Sequence, residues 1–186
     1  MIKIKKTGPA QLNDYLKISA AFEVRDKLIL KQTERGVEFV SEKISVPYTK
    51  DYDLYENPSV WYKKWDLEKW GLFIAETETG LTAGAAAVAY DTPELTLTEK
   101  RKDITVLWDI RVNPEYRRKG TGKLLFEKAL EFTKLKNCSL MKIETQDNNT
   151  GACKFYSAMG CILSEINPGV YSEFPGEIQL IWHKRV

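Results

Sequence analysis

Between Thr105 and Leu135 the hydropathy pattern changes period once, and that change constrains the fold more than any other feature of the chain. Thr105-Val-Leu-Trp-Asp-Ile-Arg-Val112 is rich in β-branched and apolar residues and predicts a strand. Pro114 stops its ladder. From Thr121 an amphipathic helix is predicted: Leu124, Leu125, Ala129, Phe132 and Leu135 share one arc, with Lys123, Glu127, Glu131 and Lys134 opposite. The connecting stretch reads Val112-Asn-Pro-Glu-Tyr-Arg-Arg-Lys-Gly-Thr-Gly-Lys-Leu-Leu125. Gly120 and Gly122 let the backbone aim several N–H groups at one point, and the open amides of the first helical turn add partial positive charge. A loop of this kind suits an anion.

Two common phosphate loops do not fit. A P-loop requires Gly-x-x-x-x-Gly-Lys-Ser/Thr, and Arg117 and Leu124 stand at its first Gly and its Ser/Thr. The dinucleotide fingerprint Gly-x-Gly-x-x-Gly requires a third glycine where Leu125 stands. Arg117, Arg118, Lys119 and Lys123 form the densest basic cluster, but the net charge of +2 is too near neutral to point to nucleic acid. No stacking-aromatic motif accompanies them, so no nucleic-acid partner is expected.

With 186 residues, 43% of them hydrophobic and 29% charged, the chain suits one globular domain spanning 1–186. His183 is the only histidine, which argues against a His-based metal site or a Ser-His-Asp triad; no metal is expected. Met1-Ile-Lys-Ile-Lys-Lys6 runs into polar sequence without a leader pattern. The longest uncharged apolar run, Gly80 to Tyr90, falls short of the ~20 residues that span a bilayer. No membrane partner is expected. Cys138, Cys153 and Cys161 are odd in number and lack ligand spacing, and read as reduced thiols of a cytoplasmic protein.

In chain order, Met1–Lys5 predicts a short strand and Pro9–Ala21 a helix. Phe22–Gln32 and Val37–Ser45 predict a hairpin around Glu34-Arg-Gly36. A loop dense in acids and phenols, Tyr48–Glu56, precedes a helix starting near Asn57-Pro58. Within it Asp51, Tyr52, Asp53, Tyr55 and Glu56 offer carboxylates and ring faces to a cationic amine. Leu72–Thr77 and Leu81–Tyr90 predict a second hairpin, and the Ala83-Gly-Ala-Ala-Ala87 run marks close approach of another group. After the central helix come a strand at Leu140–Thr145, a short helix from Thr150 to Met159 ended by Gly160, and paired strands at Cys161–Asn167 and Glu177–Lys184. Hairpins first and alternating strands and helices later predict a mixed α+β sheet.

Arg117, Gly120 and Gly122 match Arg/Gln-x-x-Gly-x-Gly/Ala, and Asn149, Ala152, Phe155, Tyr156 and Gly160 match Asn-x-x-Ala-x-x-Phe-Tyr-x-x-x-Gly. In both motifs, and in the strand between them, the chain resembles the GNAT N-acetyltransferase superfamily. Cys161 replaces the phenylalanine that ends the second motif, which weakens packing there and removes no catalytic group. Thr105–Val186 carries the resemblance well; the first hundred residues fit it in outline. Ile143-Glu-Thr-Gln-Asp-Asn-Asn149, Ala152-Cys-Lys-Phe-Tyr156 and Trp108-Asp-Ile110 further resemble bacterial streptothricin acetyltransferases, as does Phe22-Glu-Val24.

The resemblance implies an α+β fold of GNAT type: a mixed, mostly antiparallel sheet with splayed central strands flanked by helices. It implies acetyl-CoA as cofactor, and acetyl transfer by direct attack of an amine. The Arg117, Arg118, Lys119, Gly120, Thr121, Gly122 and Lys123 stretch would hold the pyrophosphate, and Ile110, Arg111 and Val112 would line the thioester, an N–H of Ile110 or Val112 polarising its carbonyl. Asn149 would support the pantetheine arm, with Lys154 and Tyr156 on the same helix. Tyr156 matches the phenol that protonates the departing thiolate.

An alkylamine with a pKa near 10.4 costs roughly 4–5 kcal/mol to deprotonate at neutral pH, so a proton acceptor is needed. Asp109 and Glu144 are the carboxylates brought nearest, and they are expected to act jointly as amine binders and acceptors; strand alternation leaves open which of them faces the cleft. Trp108 and Glu144 join the acidic loop as substrate-binding candidates. The expected acceptor is a small cationic amine of the streptothricin class, implying antibiotic resistance, and the enzyme is expected as monomer or homodimer. A protein or peptide amine acetyltransferase and a non-catalytic CoA-binding module are the competing readings.

Overall fold

The computed structural model describes residues 1–34 and 36–186. Its strands are β1 (Ile2–Thr7), β2 (Phe22–Thr33), β3 (Gly36–Lys50), β4 (Gly71–Thr77) and β5 (Thr82–Tyr90), then β6 (Ile104–Val112), β7 (Leu140–Gln146), β8 (Ile162–Pro168) and β9 (Ile178–Arg185). The α-helices are α1 (Leu12–Tyr15), α2 (Trp61–Lys64), α3 (Thr121–Leu135) and α4 (Thr150–Ala158). The chain divides into two compact units, one of Met1–Ala20, Asp51–Ile143 and Lys184–Val186, the other of Ala21–Lys50 and Glu144–His183.

In the first unit the strands lie in the order β1-β4-β5-β6-β7, antiparallel except for β6 and β7, which run parallel. Five of the nine residues of the central β5 are alanine because both of its faces are covered. Ala85, Ala87 and Ala89 meet a buried cluster containing Leu12, Tyr15, Ile18, Trp61, Trp70 and Leu72. Gly84, on the alternate face, receives α3: a Cβ there would lie 2.9 Å from Leu125 Cδ1, 3.0 Å from the Arg111 carbonyl oxygen and 3.3 Å from Thr121 Cγ2. The close approach expected at this run is thus that of a helix. The buried stripe of α3 is Leu125, Phe126, Ala129, Phe132 and Thr133, whereas Leu124 and Leu135, expected inward, are exposed.

The ladder between β5 and β6 shifts register. Ala87 faces Asp109 and Val88 faces Leu107, which leaves Trp108 as an extra residue in β6. A bulge of this kind re-aims side chains. Trp108 packs on the aromatic cluster, 4.8 Å from Trp65 between ring centroids, and its neighbour Asp109 turns to the same side of the sheet. Simple alternation predicts opposite sides for this pair.

The first unit departs from expectation at Pro9–Ala21, where a single turn of 3-10 helix over Pro9–Gln11 leads only into the four-residue α1. Of the apolar residues that suggested a longer helix, Leu12, Tyr15 and Ile18 are buried while Leu16 and Ala20 are only partly so, and α1 with the turn after it suffices to bury the three. The helix expected after Asn57 is likewise short: a 3-10 turn over Pro58–Val60, capped by the Asn57 side chain, and then α2.

In the second unit β2 and β3 form a long antiparallel hairpin, extending past the expected boundaries to Thr33 and Lys50. The expected turn includes Arg35, which lies outside the described residues. Three bonds fix the hairpin to the segment after β7: Leu28 N–H donates to the Asp147 carbonyl (2.8 Å), the Thr150 hydroxyl to Asp26 (2.5 Å), and Asn148 Nδ2 to the Tyr48 hydroxyl oxygen (3.1 Å). β9 lies between β7 and β8, and α4 begins and ends within a residue of its predicted span. Among the described residues no helix is long and apolar enough to cross a membrane.

Candidate active site

Registered pairing of β6 with β7 runs from Ile104–Leu140 to Leu107–Ile143, and β6 continues through Val112. On this continuation Asp109 and Arg111 are two apart and share a face. The Arg111 fork grips Asp109, Nε to Oδ1 at 3.0 Å and Nη2 to Oδ2 at 2.5 Å. Its Nη1 donates to both oxygens of Asp53 (3.0 Å each) and to the Ile18 carbonyl (2.9 Å). Tyr15 donates its phenol hydrogen to Asp109 Oδ1 at 3.0 Å, and the guanidinium carbon lies 5.1 Å from its ring centroid. The Arg111 side chain is only 4% exposed. One buried cation flanked by two carboxylates is close to the arrangement that makes such a charge tolerable. Burial, with the Asp109 charge second, pushes the Tyr15 phenol well above its ordinary value.

The network accounts for three of the predicted site residues. Asp109, expected at the reacting centre, accepts from two side chains at once. Arg111, expected beside the thioester, turns its guanidinium to the aromatic side of β6. Asp53, expected at the substrate mouth, also accepts the Ala20 N–H at 3.2 Å. In the same loop Asp51 caps a 3-10 turn through the Asp53 N–H at 3.0 Å, and Tyr52 is half-buried. Tyr55 is exposed, and Glu56 pairs with Lys64 at 3.0 Å.

The glycine loop is built differently. After β6, Asn113 closes a 3-10 turn by accepting the Glu115 N–H at 3.2 Å, and Arg117 folds back so that Nε donates to the Val112 carbonyl at 3.0 Å. Arg118 and Gly120 then take positive φ, +58° and +86°, which for glycine is unstrained. Gly120 caps α3 without a side-chain bond. The backbone N–H groups of Arg118, Lys119, Gly120, Thr121, Gly122 and Lys123 have no protein acceptor among the described residues. Thr121 Oγ1 is buried and also lacks one. Six consecutive amide donors, a buried hydroxyl and the positive end of a 15-residue helix match what a diphosphate offers in return. Arg118, Lys119 and Lys123 add exposed positive charge.

In the second unit, Glu144 and Gln146 leave β7 on one face. The Tyr171 phenol donates to Glu144 Oε1 at 2.6 Å and accepts from Gln146 Nε2 at 2.8 Å. The asparagine of the second motif, Asn149, caps α4 by accepting the Ala152 N–H at 3.2 Å. Lys154 is exposed. Tyr156 is buried on the inner face of α4, its ring 5.5 Å from Phe155 and 6.3 Å from Trp182. Burial pushes the neighbouring Cys153 thiol up to about 11, and Cys138 and Cys161 are buried too. Cys153 is therefore protonated at neutral pH, which removes it as a covalent acetyl carrier. Tyr15 and Tyr171, the phenols that hold the two candidate carboxylates, were not anticipated; they lie 94 and 27 residues from their partners, and no local pattern joins them.

Comparison with known proteins agrees with this geometry. The model of the acetyltransferase (GNAT) family matches residues 38–161. Streptothricin acetyltransferase A of Bacillus subtilis (strain 168) is 29% identical over 184 residues, covering 97% of this chain and 98% of that protein. A streptothricin acetyltransferase of Escherichia coli is 25% identical, with 94% and 91% covered. An acetyltransferase structure from Bacillus anthracis, solved in complex with acetyl coenzyme A, superposes with a TM-score of 0.77 at 22% identity, covering 100% of this chain and 98% of that one. The amide cradle between strand and helix, the capped second motif and these likenesses converge: the chain is a member of the GNAT family, an acetyl-CoA-dependent N-acetyltransferase.

Proposed function

We propose that the enzyme acetylates a primary amine of a small cationic molecule of the streptothricin class, and so confers resistance to it. The observation that carries the donor half of this reading is the run of open amides from Arg118 to Lys123. The acceptor half is supported by two relatives that carry streptothricin in their names and match this chain nearly end to end.

Bound acetyl-CoA supplies the activated acetyl thioester. The Arg118–Lys123 amides would hold its diphosphate, each charge-assisted bond contributing about 1.5–3 kcal/mol, with Arg117 buttressing the turn and Thr121 Oγ1 adding a donor. Ile110 and Val112 are the backbone donors assigned to the thioester carbonyl. Asn149, fixed as a helix cap, and Lys154 are assigned to the pantetheine and nucleotide arms.

Of the two candidate carboxylates, Glu144 is the better proton acceptor. Asp109 already helps neutralise a buried guanidinium, and taking up a proton there would leave Arg111 with Asp53 as its one ionised partner. Glu144 accepts the Tyr171 phenol hydrogen at Oε1, a bond that favours its ionised form. Tyr156 donates a proton from its phenol oxygen to the leaving sulfur. The half-exposed edge of Trp108 and the phenols Tyr52 and Tyr55 are assigned to the acceptor's apolar and cationic parts. The family match crosses both units, which favours their acting as one catalytic domain. Unpaired thiols and a metabolic acyl donor favour the cytoplasm.

A coupled assay of free-thiol release over streptothricin, spermidine, free lysine and a peptide N-terminus tests the acceptor. Fastest release with streptothricin is expected, and release with the peptide alone overturns the reading. Gly122→Glu tests the cradle by adding bulk and negative charge to it: acetyl-CoA binding by calorimetry should vanish.

A further inference from the structure

Tyr171 lies in the loop between β8 and β9, whose sequence Gly169-Val-Tyr-Ser-Glu-Phe-Pro-Gly176 matches no chemical motif. Its hydroxyl nevertheless completes a directed chain: Gln146 Nε2 to Tyr171 Oη at 2.8 Å, and Tyr171 Oη to Glu144 Oε1 at 2.6 Å. The loop is fixed at its base. Phe174 N–H donates to the Tyr171 carbonyl (3.2 Å) and Glu177 N–H to the Phe174 carbonyl (2.9 Å). The Lys50 ammonium, 6% exposed, pairs with Glu177 and lies 4.4 Å from the Phe174 ring centroid. Asp147 and Ile178 exchange two bonds, Ile178 N–H to Asp147 Oδ1 at 2.9 Å and Asp147 N–H to the Ile178 carbonyl at 3.0 Å. A buried ion pair and a reciprocal hydrogen-bond pair thus deliver the phenol to β7 with little freedom of its own.

We propose that Tyr171 is the positioning residue for Glu144 in amine acetylation. The inference rests on the reading of Glu144 as the proton acceptor. A phenol donating to an ionised carboxylate forms a short, charge-assisted bond and favours the charged form. Tyr171 therefore does two things: it fixes Oε1 in one orientation, and it keeps the carboxylate able to accept a proton at lower pH. Gln146 strengthens the donor by pointing its own N–H at the phenol oxygen.

Tyr171→Phe keeps the ring and removes the hydroxyl. Its kcat/KM for the amine should fall about 10-fold, and the acid limb of the pH–rate profile should move up by about one unit, with the KM for acetyl-CoA unchanged. Glu144→Gln, measured alongside, should abolish the limb. If Glu144→Gln abolishes it while Tyr171→Phe leaves it in place, the positioning role is overturned and the reading of Glu144 stands. If Glu144→Gln retains the limb, that reading falls and takes the inference with it. A purely structural phenol would lower the thermal midpoint without moving the limb, and that result also overturns the proposal. Should Tyr171→Phe fail to fold, Gln146→Leu is expected to shift the limb in the same direction by a smaller amount, and an unshifted limb there counts against it equally.

Discussion

The ends of β6 and β7 carry the same pair of groups, a carboxylate with a tyrosine donating to it, and they differ in what else is present. At Asp109 a guanidinium fork occupies both carboxylate oxygens in addition to the Tyr15 phenol. At Glu144 the Tyr171 phenol donates to Oε1, and a side-chain amide stands behind the phenol. The first carboxylate is committed to keeping Arg111 buried, and the second is the one we propose meets the substrate amine. On that proposal the difference separates a structural from a chemical acid better than position on the strand does, because both residues occupy comparable places in the sequence pattern.

The largest effect that sharpens the contrast is on turnover. Glu144→Gln should reduce kcat by about 1,000-fold, within the range expected for loss of a general base; a loss below threefold would erase the distinction. Asp109→Asn should show itself in stability instead. It leaves Arg111 with Asp53 as its remaining carboxylate and should cost about 3 kcal/mol in urea unfolding, while the acid limb of the rate profile stays put. A shifted limb would return Asp109 to the chemistry.

Tyr15→Phe comes next, at about 1 kcal/mol for one buried hydrogen bond. The smallest effect is its pH dependence. Burial first, then the Asp109 charge, raise the Tyr15 phenol well above 10.0, so the unfolded chain loses this proton first. The phenol's contribution to stability is intact below pH 10 and falls as the pH rises beyond it. Unfolding midpoints at pH 9, 10 and 11 should decline less steeply in Tyr15→Phe than in the parent, and parallel slopes would contradict a buried neutral phenol.

What the sequence made legible was local. The strand, glycine loop and helix from Thr105 to Leu135 carry their own signals in β-branched runs, positive-φ glycine and period, and α4 is bracketed by its Asn149 cap and Gly160. Pro9–Ala21 departs from a long helix because Leu12, Tyr15 and Ile18 reach the core from one short helix and the turn after it, so a few buried apolar residues do not require further helical turns. Alternation fails at Trp108 because a bulge is a property of two paired strands, and the sequence of β6 alone does not contain it. The hardest features were the pairings at long range: Arg111 with Asp53, Tyr15 with Asp109, Tyr171 with Glu144. Each residue is ordinary in its own segment, and the chemistry resides in the meeting.

Gly84 has a consequence for the glycine loop, although it belongs to an alanine-rich strand remote from that loop in sequence. The hydrogen in place of a methyl lets the first turn of α3 settle against the sheet, with Thr121 and Leu125 filling the gap. How closely the start of α3 and the open amides before it lie against the sheet is thereby set from below, by a residue almost forty positions upstream. Alanine at this one point would push the first turn of α3 off the sheet by a few tenths of an ångström, and the proposed diphosphate site would then lose affinity with every one of its own residues unchanged.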